Sequence, residues 1–155
     1  MTQTSAPGVV AAGQATSADY AGDVDATEAW EKLKADPAAV LVDVRTQAEW
    51  NFVGVPDLAE AGKEAVLVEW QVFPTMGVNP NFVSTVRDAV PDSDAPIYFL
   101  CRSGARSKSA AIALTREGYA HCYNISAGFE GPHDAGRHRG TTDGWKARGL
   151  PWMQG

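Results

Sequence analysis

Ile97-Tyr98-Phe99-Leu100-Cys101-Arg102-Ser103-Gly104-Ala105-Arg106-Ser107 is the stretch on which the reading of this 155-residue chain turns. Four consecutive β-prone apolar residues predict a strand buried on both faces, and that strand delivers Cys101 to its carboxyl end. Glycine and serine then interrupt the apolar pattern, after which Ser109, Ala110, Ala111, Ile112, Ala113 and Leu114 form the packed part of a helix ending near Gly118. A cysteine therefore stands where a strand gives way to a loop and a helix. Successive backbone N–H groups of such a loop can converge on an anion, the helix adds its positive end, and Gly104 permits a left-handed backbone path. Arg102, Arg106 and Lys108 add positive charge, a setting that favours thiolate over thiol at Cys101. A free cysteine is often only a small core residue, but a charged, glycine-containing strand-to-helix loop is the surrounding of a reactive one.

Working outward, Val40-Leu41-Val42-Asp43-Val44 reads as a second doubly buried strand, with Ala65 to Trp70 and His121 to Ile125 as further strands. Asp25 with Glu28, and Thr46 with Glu49, have capping-box spacing and predict helices over 26–35 and 47–52. Asn79-Pro80 opens a helix near 81–89, which Pro91 ends. The segment Ser126 to Gly144, rich in Gly, His, Asp and Arg, reads as loop, with a helical turn near Thr141–Arg148. Trp145, Leu150, Pro151 and Trp152 are expected to fold the tail back onto the body, since two large aromatic surfaces would otherwise face water. Strands alternating with helices make a small α/β sandwich the expected architecture; a full β/α barrel needs far more chain. Residues 1–19, small and without sustained period, read as a flexible arm ahead of a domain over 20–155.

Thirteen Lys/Arg against nineteen Asp/Glu leave a formal charge of -6, which argues against nucleic-acid or anionic-membrane binding driven by overall charge. No apolar run is long enough to span a bilayer. The amino end lacks the basic start and apolar core of a secretory signal, so the expected location is the cytoplasm. Cys101 and Cys122 are the two cysteines, too far apart in sequence for a CxxC pair. Cys122, between His121 and Tyr123, reads as structural. His121, His133 and His138 lack metal-ligand spacing, and no nucleotide loop or iron-sulfur pattern occurs, so neither metal nor cofactor is expected.

The chain resembles the rhodanese family of sulfurtransferases in its single-domain form. Leu41-Val42-Asp43-Val44-Arg45 followed by Glu49-Trp50 is similar to the family's aspartate-valine-arginine segment and its acidic-aromatic pair. Cys101 to Ser107 is similar to the active-cysteine segment, Ser126-Ala127-Gly128-Phe129 to the later glycine turn, and Gly144-Trp145 with Gly149-Leu150-Pro151 to the carboxyl-terminal ending. The matches run from about Gly22 to Trp152. Two departures stand out: Val53-Gly54-Val55-Pro56 lacks a histidine common there, and Ala127 replaces a frequent glycine.

The resemblance implies a three-layer α/β sandwich around a mainly parallel sheet of about five strands. It also implies an enzyme in which Cys101 accepts sulfane sulfur as a persulfide and passes it on. Thiosulfate or another small anionic sulfur donor, a cyanide or thiol acceptor, and a sulfur-acceptor protein are the expected partners. Arg102, Ser103, Gly104, Ala105, Arg106 and Ser107 would form the anion loop, with Arg102 or Arg106 steering the donor. Asp43 and Arg45 are expected to support it as a satisfied polar network, with Arg45-Glu49 as another local pair, and Trp70 with Phe73 to wall the mouth. Two other readings stand beside this one. A binding or regulatory module could dock to a partner with little turnover, since fold does not imply activity. A phosphatase or arsenate reductase-like enzyme would require arginine at position 107, where this sequence has Ser107 and places Arg106 one step earlier.

Overall fold

The structure, a computed structural model, describes residues 19–72 and 74–154. The expected arm therefore lies outside the described residues except for Asp19, as does Phe73. In chain order the elements are β1 (Gly22–Val24), α1 (Ala26–Ala35), β2 (Val40–Asp43), α2 (Gln47–Val53), β3 (Val55–Pro56), a 3-10 turn (Ala59–Ala61), β4 (Val66–Leu67), β5 (Gln71–Val72), β6 (Gly77–Val78), α3 (Phe82–Ala89), β7 (Ile97–Leu100), α4 (Ala105–Arg116), β8 (Cys122–Ile125) and β9 (Trp152–Met153).

Five strands form one parallel sheet in the order β1-β8-β7-β2-β4. Alternation along the strands splits the core into two layers, because successive side chains point to opposite faces. Val42, Val44, Ile97 and Phe99 pack against Phe82 and Val86 of α3 and Ala110, Ala111 and Leu114 of α4. Leu41, Tyr98 and Leu100 face the other way, against Ala29, Trp30 and Leu33 of α1 and against Phe129 and Trp145. The result is the expected three-layer α/β sandwich.

Caps behave largely as the spacing implies. Asp25 accepts from the Glu28 amide, and Thr46 with Glu49 forms a complete capping box. Helix α4 starts earlier than expected, at Ala105, so the loop is shorter and the cysteine closer to the helix.

Several expectations need correction. The strand expected over Ala65 to Trp70 is regular only at Val66–Leu67, although the Val68 and Trp70 amides still donate to carbonyls of Asp43 and Val44. The edge strand β1 carries no apolar run to announce it; it pairs in register Gly22 with Tyr123. Of the helical turn expected near Thr141–Arg148, one α-type turn forms, in which the Arg148 amide donates to the Gly144 carbonyl, and it begins no earlier because Gly144 adopts φ 101, outside the helical region. The tail does fold back: Trp145 is fully buried, edge-on to Trp30, and β9 pairs antiparallel with β3. Trp152 stays partly exposed at 40%. Among the described residues no helix is long and apolar enough to cross a membrane.

Candidate active site

The parallel strands all end at one edge of the sheet, and the chain reverses its direction of travel between β2 and β7. Crevices beyond the carboxyl ends at such a switch point are where ligands bind in open α/β sheets. Here β2 delivers Asp43 and Arg45 and β7 delivers Cys101 to that edge.

Cys101 is 1% exposed, and polar groups meet its sulfur. The Gly104 amide donates to Sγ at 3.1 Å, and Ser107 Oγ lies 3.2 Å from it. Gly104 is the N-cap of α4, with φ 110 and no side chain to bond the first-turn amides. Those amides have no partner within the helix, so the helix start is left as a donor-rich, electropositive end. Of the full ring of loop donors expected, the sulfur itself meets one amide, from Gly104, and one hydroxyl group, from Ser107. Ser107 is buried and Arg102 exposed.

A second loop buttresses the first. The amides of Phe129, Glu130 and Gly131 donate to the carbonyls of Cys101 and Arg102, and the Trp145 amide donates to Gly128. Gly128, at φ 68, sits so close that a Cβ would press on the Cys101 and Arg102 carbonyls. Ala127 is not among the residues with positive φ, so alanine replaces glycine there without backbone strain.

Asp43 and Arg45 are both fully buried and bonded to each other, Nε to Oδ1 at 2.9 Å and Nη2 to Oδ2 at 2.6 Å. Arg45 also donates to the Gly54 carbonyl and stacks 4.3 Å from the Phe129 ring centroid. They form a support on which the second loop rests. The local Arg45-Glu49 pair is not formed. Glu49 instead pairs with Arg106 through two bonds of 2.8 and 3.0 Å. Burial pulls the Glu49 carboxyl up, but the Arg106 guanidinium and the Thr46 donors outweigh it and hold it at about 2, from an ordinary 4.5. Burial works against the Arg106 cation too, and Glu49 more than compensates, holding it above its usual range.

This lowered carboxyl contributes stability that is complete above pH 4.5 and lost as the pH falls toward about 2. Glu49→Gln should accordingly be less stable than wild type at neutral pH and approach it as acid is added. Denaturant unfolding at several pH values measures the gap, and a gap that is constant down to about pH 2 would contradict the assignment.

Above the loop lies a hollow of about 460 Å³ lined by Glu49, Val53, Gln71, Met76, Arg102, Arg106 and Glu130. Arg106 is occupied by Glu49, while Arg102 makes no ion pair among the described residues. Trp70 is not part of this wall: it packs edge-on against Phe82, with ring centroids 4.9 Å apart, and Gln71 and Met76 take the expected position. A hollow of about 490 Å³ between Val55–Ala59 and Lys63–Leu67 has no residue of the cysteine loop.

Cys122 is buried and its thiol is pushed up to about 11 by desolvation, as befits a packing residue. It pairs in register with Ile97, four residues before Cys101, which separates the two by roughly 13 Å along the strand, too far for a disulfide. Sequence reasoning missed Glu49 as the partner of Arg106, and it missed Asn124, which bonds Ser107. A polar side chain inside the strand Cys122–Ile125 was the available signal, because buried polar groups need partners.

The profile of the family described as STR4 middle domain matches residues 21–155. The chain belongs to the rhodanese-like family. A Rickettsia conorii relative named "Uncharacterized protein RC0915" is 42% identical over 131 residues, 84% of this chain and 96% of that protein. A protein named "Sulfurtransferase" from Allochromatium vinosum is 26% identical over 129 residues, 83% of this chain and 92% of its own. Among solved structures, Rv0390 from M. tuberculosis superposes with a TM-score of 0.81 at 52% identity, covering 88% of this chain and 99% of that one. This rhodanese-like family is of sulfurtransferase type.

Proposed function

We propose that the chain is a sulfurtransferase that carries sulfane sulfur on Cys101, taking it from thiosulfate or a persulfide donor and giving it to cyanide or a thiol. The observation that carries this reading is the placement of the Cys101 sulfur against the Gly104 amide and the Ser107 hydroxyl at the uncapped start of α4. The Gly104 amide and the positive end of the helix are fixed before the reaction and stabilise negative charge on the sulfur without reorganisation. Both the attacking thiolate and the retained persulfide carry such charge.

The Cys101 thiolate attacks the outer sulfur of thiosulfate. A sulfur-sulfur bond forms to Cys101 while the bond within thiosulfate breaks, and sulfite leaves with the electron pair. An acceptor nucleophile then attacks the terminal sulfur, and Cys101 departs as thiolate. With cyanide the product is thiocyanate; with a thiol it is a new persulfide. Arg102, exposed at the hollow, is assigned to meet the anionic donor, and Arg106 to fix α2 against the loop through Glu49. A reducing compartment such as the cytoplasm suits two cysteines that are both free.

Incubating the folded protein with thiosulfate or a low-molecular persulfide and weighing it intact should show one added sulfur, removed by cyanide or by a reductant. Cys122→Ser should still label. Failure to label with every donor class, in protein shown to be folded, overturns the proposal.

A further inference from the structure

The hydroxyl of Ser107 is 3.2 Å from the Cys101 sulfur and 2.6 Å from Oδ1 of Asn124. A hydroxyl has one proton to give. Which neighbour receives it is decided further along the same chain of groups. Asn124 is 3% exposed in β8, and its Nδ2 donates to Oδ1 of Asp23 at 3.0 Å, an oxygen that also accepts from the Tyr20 hydroxyl at 2.8 Å. An ionised carboxylate can only accept, so the amide nitrogen must face Asp23 and the amide oxygen must face Ser107. That oxygen in turn can only accept. The Ser107 proton is therefore committed to Asn124, and Ser107 presents lone pairs to the sulfur.

We propose that Asn124 is a positioning residue that withholds the Ser107 proton from Cys101, so that the hydroxyl must turn from Asn124 to the sulfur each time an anion forms there. In the thiol state the S–H of Cys101 donates to Ser107 and Ser107 donates to Asn124. When the thiol proton leaves to solvent, Ser107 rotates its own proton onto the sulfur, and the Asn124 oxygen loses its donor. The anion gains one hydrogen bond and the strand loses one; the S–H bond is the one covalent bond of the protein that breaks, its proton passing to solvent, and the rotation of Ser107 breaks none. A persulfide formed on Cys101 removes the S–H donor as well, and so calls for the same rotation. The reactive loop is in this way coupled to the far edge of the sheet, where β1 carries Asp23.

Other charges surround the cysteine loop and act alongside this device. Arg102 and Arg106 stand on the loop and on α4, Glu49 on α2 is locked to Arg106, the Asp43–Arg45 pair closes the end of β2, and Glu130 lines the hollow above. The part due to Asn124 is isolated by removing the hydroxyl through which it acts.

The inference rests on Cys101 being the reactive group, but its test needs only the thiol and no sulfur transfer, so the two readings fail separately. The rate at which iodoacetamide modifies Cys101 is followed against pH, with the site assigned by peptide mass and Cys101→Ser as the blank. Asn124→Leu leaves Ser107 with the sulfur as its remaining partner, and should lower the pH midpoint by about one unit, equivalent to about tenfold more thiolate below the midpoint. Asp23→Ala, at an exposed position, frees the amide to turn its nitrogen to Ser107 and should move the midpoint the same way. In a Ser107→Ala background the Asn124→Leu shift should vanish, and the Asp23→Ala shift should shrink to the small part due to its charge. An unchanged or raised midpoint in both single variants overturns the proposal. So does a shift of equal size with and without Ser107, which would mark general loosening of the loop. Should Asn124→Leu fail to fold, the Asp23→Ala pair decides alone.

Discussion

Cys101→Ser is expected to abolish sulfur transfer, with cyanide-dependent thiocyanate formation falling at least about a thousandfold, the scale on which loss of a nucleophile is felt. The substitution replaces one atom at the carboxyl end of β7, in a residue that is 1% exposed, so the loop should keep its shape. Serine offers the same Gly104 and Ser107 partners an oxygen in place of sulfur. What is lost is chemistry: an alcohol at neutral pH is far less ionised than a thiol and cannot hold sulfane sulfur as a persulfide. Intact mass should show no added sulfur, while the far-ultraviolet circular dichroism and the unfolding midpoint stay close to wild type. If the folded variant retained more than about a tenth of the thiocyanate rate, Cys101 would not be the carrier. Comparable labelling of Cys101→Ser and wild type would point to another sulfur acceptor.

The second large effect concerns stability. Asp43→Ala and Arg45→Ala should each cost about 3–5 kcal/mol, because either change strands an uncompensated charge at a fully buried site. For a chain of this size that corresponds to a fall in Tm on the order of 10 °C. Arg45→Ala should be at least as damaging as Asp43→Ala, since it also removes the donor to the Gly54 carbonyl and the cation over Phe129. Replacing both residues together by apolar ones of similar volume should recover a large share of the loss, as breaking a buried pair costs more than deleting it. Denaturant unfolding of the two single variants and the double variant measures the coupling. Losses below about 1 kcal/mol in the single variants would mean that water reaches the pair and that the second loop does not depend on it.

Much of this was legible in the chain itself, for reasons that can be named. The run Ile97 to Leu100, four apolar residues ahead of a charged glycine loop, is buried along its whole length and ends at the cysteine as expected. The capping box at Thr46 and Glu49 is local and therefore readable. What could not be read is contact across distance. Glu49 and Arg106 lie 57 positions apart, and the nearer candidate Arg45 belongs to Asp43. Ser107 and Asn124 meet because β7 and β8 pair and α4 packs beside them, information held by register and not by spacing. Strand β1 gave no periodic signal because three residues that include Gly22 and Asp23 are too few and too polar to show one. The Trp70 expectation failed on direction: the aromatic edge meets Phe82 in the core, where desolvation is more favourable than at an open mouth.

The bonds from Phe129, Glu130 and Gly131 to the carbonyls of Cys101 and Arg102 join the reactive segment mechanically to the later segment that carries Trp145 and Pro151. Gly128, the joint between them, is itself held by the amide of Trp145, whose indole donates to Pro151. Damage far along the polypeptide would thus surface as a catalytic defect. A screen for inactive variants would collect lesions around Trp145 and Pro151 that touch neither donor nor acceptor, and a map of such lesions would trace the scaffold that keeps the sulfur in position.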